Sequence, residues 1–172
     1  FLKTTEAAGS SFDIFLHLGT LLAVLIYFRV MILDLINSLF HWKNPIDHPK
    51  HRYNRLLVLY LGIATIATGV VYLLFKDTLD GLFANMKPGM VAVMLIITGA
   101  LLFISDLIHT SDVPANSMGW GRSLIIGLGQ GIAIIPGISR SGTTIAVSLF
   151  CGIKRKDAAQ FSFLLSIPAI LA

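Results

Sequence analysis

The run from Leu56 to Phe75 contains no charged side chain, and no other feature constrains the chain as strongly. A helix of about 20 residues rises ~30 Å, the thickness of a bilayer's hydrocarbon core. In that medium each backbone polar group must find its partner within the chain, so the run is expected as a membrane-spanning helix. Met90 to Ile108 reads the same way, interrupted by Ser105 and Asp106 near its end. Phe12 to Phe28 is apolar apart from Asp13 and His17 and continues amphipathically to Phe40, as one span followed by an interfacial stretch. Phe161 to Ala172 begins a further span. The expected fold is all-α, a polytopic membrane helical protein with one integral membrane domain over residues 1–172.

Composition agrees. Of 172 residues, 55% are hydrophobic and 13% charged, against about 25% charged in a soluble domain. Such a chain cannot cover itself with polar surface in water, so membrane lipids are its surroundings. The lone Cys151 excludes an internal disulfide. The net charge is +4, but no basic stripe alternates with aromatic residues, which argues against nucleic acid as a partner.

Basic residues report orientation. The segment His41–Arg55 is expected as a cytoplasmic loop, broken by Pro45 and Pro49, with Lys43, Lys50, Arg52 and Arg55 outnumbering Asp47. Lys76–Pro88 then forms a short outward loop, Thr110–Trp120 lies inside, and Lys154-Arg155-Lys156 lies inside again. Between Gly121 and Ile153 the chain must therefore leave one face and return to it. The apolar arms, Leu124–Ile135 and Thr144–Ile153, reach only ~15–18 Å, about half the core. This geometry predicts a re-entrant hairpin over about 121–153 with Pro136–Thr143 at its tip. Non-helical backbone at that depth is tolerated only inside protein or beside a water-filled cavity, which makes the tip a candidate site.

The tip reads Pro136-Gly137-Ile138-Ser139-Arg140-Ser141-Gly142-Thr143-Thr144. A guanidinium within a bilayer is expensive and by default functional. It cannot deprotonate, and its fork matches phosphate or carboxylate oxygens. The hydroxyls of Ser139, Ser141, Thr143 and Thr144 surround it, and Gly137 and Gly142 allow close backbone approach. Ser141 is expected to cap an arm starting near Thr143, aiming the positive end of that helix at the tip. Together these make an anion site, with phosphate the best match. A plain surface loop, with Arg140 on a lipid headgroup or an Asp, remains the alternative. Gly127-Leu128-Gly129-Gln130-Gly131 imitates a dinucleotide loop without its βαβ unit, so Gly127 and Gly131 are read as close helix packing. No cysteine precedes the arginine within the loop and no histidine follows it, which rules out two other phosphatase signatures. His41, His48 and His51 are assigned to headgroup contact rather than metal binding, His17 to packing or cavity lining, and Ser10-Ser11 to a cap before the first span.

The run from Gln130 to Thr144 closely resembles the hallmark of the bacterial undecaprenyl-diphosphate phosphatases (the UppP/BacA family). The stretches Phe12–Thr20 and Ala158–Pro168 resemble that family too. The resemblance implies hydrolysis of undecaprenyl diphosphate to undecaprenyl phosphate and inorganic phosphate, which recycles the lipid carrier of peptidoglycan synthesis. It also implies an inverted-repeat fold with two re-entrant hairpins, in the bacterial cytoplasmic membrane, with the site opening to the outer face; a homodimer is compatible with it. By position Ser139, Arg140 and Thr144 take the catalytic roles. Gly137, Ser141, Gly142 and Thr143 complete substrate binding. The family's other half-site, an E-x-x-x-E-type motif followed by Ser-Ser-x-x-Gly-His, has no counterpart here. Glu6 stands alone, Ser10-Ser11 lacks the Gly-His, and His17 replaces a frequent glutamine. The missing half-site is expected upstream of Phe1 in a longer protein. The general acid/base and the ligands of a divalent cation, Mg or Ca, go with it. The competing readings are a transporter or flippase for an anionic lipid, since broken helices bind anions there as well, and a non-catalytic scaffold.

Overall fold

The computed structural model describes residues 2–40, 49–107 and 112–171, of which 2–14 and 49–50 as backbone alone. Its helices are α1 (Leu2–Tyr27), α2 (Arg29–Phe40), α3 (Pro49–Asn85), α4 (Pro88–Leu107), α5 (Gly119–Ile132), α6 (Arg140–Phe150) and α7 (Arg155–Leu171), with a single 3₁₀ turn at Ala115–Ser117. Among the described residues, two helices are long and apolar enough to cross a membrane, His51–Asn85 and Pro88–Leu107. A third crossing is present if α1 and α2, bent by 73° at Phe28, act as one. This is an all-α membrane protein.

Both long helices start on proline, whose fixed φ and missing N–H suit a first helical position. Pro49 therefore begins a helix where a loop to Arg55 was expected; 41–48, with His41 and His48, lie outside the described residues. The expected loop from Lys76 to Pro88 is also corrected, because α3 runs on to Asn85. Phe75, Leu79 and Leu82 recur at helical spacing and line a small cavity with Ile132 and Ile135 of the hairpin, so apolar packing carries the helix past its charges. Ser10 and Ser11 lie within α1 rather than capping it.

Helices α5 and α6 form a hairpin. At 14 and 11 residues the arms rise ~21 Å and ~17 Å, both short of a ~30 Å core. Their outer ends are tied together: Val113 N–H donates to Gly152 O and Lys154 N–H to Val113 O, each at 2.9 Å. Beside this tie, Ala115 N–H donates to Asp157 Oδ2 at 2.9 Å. The chain thus enters and leaves the hairpin at one point.

The hairpin lies in a groove formed by α3, α4 and α7. Along α3 the contact is close, with backbone against backbone at Gly127 and backbone against side chain at Gly131. A Cβ on Gly127 would stand 2.6 Å from Ala64 Cα, and one on Gly131 would stand 2.6 Å from Val71 Cβ. These glycines are packing residues, as the missing βαβ unit implied. Ser123 Oγ donates to Tyr60 O across the same seam. Leu57, Ala64, Ile126, Ile153, Ala158, Phe161 and Leu165 form the buried centre, bringing α3, α5 and α7 together.

Candidate active site

The tip is a turn between two helix ends, and its shape comes from two residues. Gly137 has φ +88°, a left-handed conformation that side-chain-bearing residues rarely adopt. A Cβ there would also meet Val91 Cα of α4 at 2.8 Å. Ser139 then caps α6: its backbone is extended (φ −71°, ψ 115°) and its Oγ accepts from Gly142 N–H at 3.2 Å. The cap expected at Ser141 thus belongs to Ser139. The helix starts at Arg140, two residues earlier than Ser141 capping would allow, and Thr143 N–H makes the first helical bond, to Ser139 O at 2.9 Å. Ser139 N–H donates to Thr98 Oγ1 of α4 at 3.3 Å. A Cβ on Gly142 would lie 2.8 Å from Thr98 Cγ2.

Arg140 sits at the first position of α6 and is partly buried. Its Nη1 donates to Ala169 O in the last turn of α7 at 3.2 Å. The side chain borders two cavities. The larger, about 580 Å³, is also walled by Gly137, Ser141, His17 and Thr20 of α1, and Phe163 and Ser166 of α7. His17 therefore lines the cavity of the tip, the second of the two roles considered for it. The smaller cavity, about 380 Å³, lies toward α3 and is walled by Thr65, Thr68, Tyr72 and Gln130.

The remaining hydroxyls divide. Ser141 faces the larger cavity with Arg140. Thr144 is buried, and its Oγ1 lies 3.0 Å from Arg140 O and 3.1 Å from Ser141 O, and in contact with Ser162 Oγ. Ser162 in turn donates to Ser141 O at 3.3 Å. Thr144 and Ser162 thus bind the first turn of α6 to α7. Thr143 is buried, with an Oγ1 that has no partner among the described residues. The structure brings Gly137, Ser139, Arg140, Ser141 and Gly142 to one turn, and sets Thr143 and Thr144 behind it.

Thr68, Thr98, Gln130 and Ser162 also hold the site, and motif reading had given them no role. Their signal in the sequence is a polar side chain inside an apolar helix, which in lipid must find a partner. Among the described residues no group of three or more His, Cys, Asp or Glu could hold a metal ion. These residues do not fit a cation by themselves, and no step is assigned to one.

The arrangement can hold an anion. A helix N-terminus, a guanidinium and a free-standing serine converge on one cavity wall, where partial positive charge and N–H donors reinforce one another. The chain is 41% identical over 169 residues to an undecaprenyl-diphosphatase of Methanobrevibacter smithii, covering 94% of this chain and 60% of that protein. An undecaprenyl-diphosphatase of Syntrophotalea carbinolica is 41% identical over 170 residues, covering 99% and 62%. Undecaprenyl-diphosphatase 1 of Shouchella clausii is 39% identical over 165 residues, covering 95% and 58%. The chain thus spans about 60% of the length of these curated relatives. The sequence model of one family, described as "Bacitracin resistance protein BacA", matches residues 1–172, and the chain belongs to that family.

Proposed function

We propose that this chain carries one half of the active site of an undecaprenyl-diphosphate phosphatase. The observation that supports the reading is the position of Arg140, at the N-terminus of α6 in the wall of a cavity with Ser141 and His17. In this reaction water adds to the terminal phosphorus and the bridging P–O bond breaks. Undecaprenyl phosphate leaves with the bridging oxygen, and inorganic phosphate carries the oxygen from water. Negative charge gathers on the transferred group as that bond breaks, and a fixed guanidinium with a helix N-terminus opposes it without reorganising. Ser139 serves by shaping the turn, and Ser141 by donating a hydrogen bond to a phosphoryl oxygen. The proton-transferring groups and the ligands of a divalent cation, Mg or Ca, are assigned to residues other than those described at this site. The protein works in the bacterial cytoplasmic membrane, the hairpin entering from the cytoplasmic face and the site opening outward. Nothing among the relatives or in the structure favours the transport reading.

The test is phosphate release from a polyprenyl diphosphate by the intact protein in detergent. Arg140→Ala is expected to lower kcat about 10²–10³-fold. Arg140→Lys should remain far below wild type, since an ammonium is a point charge without the bidentate fork. Undiminished release by Arg140→Ala removes the assigned role.

A further inference from the structure

The smaller cavity is lined by a buried amide whose chemistry restricts what can occupy it. Gln130 is 1% exposed and lines this cavity with Arg140, Thr68 and Tyr72. Its Nε2 donates to Thr68 Oγ1 at 3.1 Å. The orientation of that amide is not arbitrary. Thr68 has one hydroxyl proton, and its Oγ1 lies 2.9 Å from the carbonyl oxygens of both Ala64 and Gly127, which compete for that proton. The Thr68 oxygen can then only accept, so it selects the amide nitrogen and leaves Gln130 Oε1 on the other side. That Oε1 is buried and has no partner among the described residues.

A lone acceptor beside a guanidinium selects a particular anion. Arg140 supplies the charge that draws an oxyanion in. Gln130 Oε1 repels a bare oxygen and attracts one that carries a hydrogen. A phosphate group loses its last proton near pH ~6 as an ester, and the free ion loses its own close to neutrality, so around neutral pH a phosphate still offers a P–OH. The volume, about 380 Å³, holds such a group with water to spare at ~30 Å³ per water molecule.

We propose that the cavity between α3 and Arg140 binds a protonated phosphate group, with Arg140 on its charged oxygens and Gln130 Oε1 accepting from its P–OH. The proposal rests on the reading of Arg140 as a phosphate ligand. Two sources share the chemistry: the terminal phosphoryl group of the substrate, and inorganic phosphate after cleavage.

The test needs no variant at first. Turnover of a polyprenyl diphosphate by the intact protein is measured with added phosphate or sulfate, from about pH 5.5 to 8.5. Sulfate matches phosphate in size and shape but has no proton at these pH values. Phosphate is expected to inhibit about tenfold more strongly than sulfate near pH 6, as one hydrogen bond within a charged site implies, and the advantage should fade as pH rises. Gln130→Leu should erase the difference between the two anions. Thr68→Val, which frees the amide to turn its nitrogen inward, should erase it too. If phosphate inhibition weakens in Gln130→Leu while KM holds, the released ion is the occupant; if KM rises by the same factor, it is the terminal phosphoryl group. Equal inhibition by phosphate and sulfate at every pH overturns the proposal. So does a folded Gln130→Leu protein with unchanged KM and unchanged phosphate inhibition. If the intact protein hydrolyses no polyprenyl diphosphate, the enzymatic reading fails by itself. Phosphate binding followed by ³¹P NMR, with sulfate as competitor, then still decides the cavity's selectivity.

Discussion

Adding one methyl group at Gly127 should loosen the hairpin from α3. A Cβ at this position would lie 2.6 Å from Ala64 Cα and 2.9 Å from the Ala64 carbonyl carbon. Carbon atoms in contact prefer ~3.5–4.0 Å, and these are backbone atoms that no rotamer change can move. The two helices must therefore part by about 1 Å, at an overpacking cost of ~1–3 kcal/mol. Parting also stretches the bond from Thr68 Oγ1 to Gly127 O, now 2.9 Å, which forfeits about 1 kcal/mol. The intrinsic preference of alanine for helix returns ~1 kcal/mol. The net loss is about 1–3 kcal/mol, or roughly 3–9 °C in Tm at ~3 °C per kcal/mol. Gly62→Ala is the internal control. It adds the same atom to α3, where nothing lies within 4 Å, so the helix preference should act unopposed and raise Tm by about 3 °C. Both proteins would be purified in one detergent and melted side by side, with unfolding followed by circular dichroism. Equal melting of the two would refute the argument that the α3–α5 seam is set by backbone contact.

Gly137→Ala combines a left-handed φ of +88° with a Cβ placed 2.8 Å from Val91 Cα; strain of ~1–2 kcal/mol at the turn and a larger loss in phosphate release than in thermal stability are expected. Ser139→Ala should cost about 1 kcal/mol through the lost cap, and Ser139→Asn should restore most of it in the same melt. The ion pair between Arg155 and Asp106 joins the ends of α7 and α4, with both side chains 57% exposed. Asp106→Asn should shift stability by less than about 1 kcal/mol, and raising the salt concentration should shrink even that.

Much of the fold was legible because lipid leaves few options. A run without charges between Leu56 and Phe75 has one stable form there, and α5 and α6 fold back on each other as two short arms. What escaped the sequence depends on contacts distant along the chain. The partners of Gln130 and Ser139 stand 62 and 41 residues away, and Thr144 meets Ser162 across 18. No periodicity encodes such pairings. The choice of Ser139 over Ser141 as cap depends on how the chain leaves Gly137. Either serine satisfies the residue preference, and only backbone geometry separates them. The end of α3 was misplaced for a related reason: Lys76 and Asp77 resemble a membrane boundary, whereas packing against the hairpin extends the helix to Asn85.

The tie between Val113 and Ile153 also bears on the order in which the molecule is assembled. Neither arm of the hairpin is long enough to be held across a bilayer during synthesis, and the turn between them carries a guanidinium that bare lipid rejects. Long apolar helices such as α3 and α4 can enter the membrane one at a time on hydrophobicity alone. The hairpin needs a host already in place: the bare backbone of Ala64 for Gly127, Thr98 for the turn, and Ser162 for the first coil of α6. Insertion is then a docking event, not a partitioning event, and α7 must emerge from the ribosome before it can finish. The yield of membrane-embedded protein is therefore as direct a report on the Thr144–Ser162 contact as any measurement of catalysis.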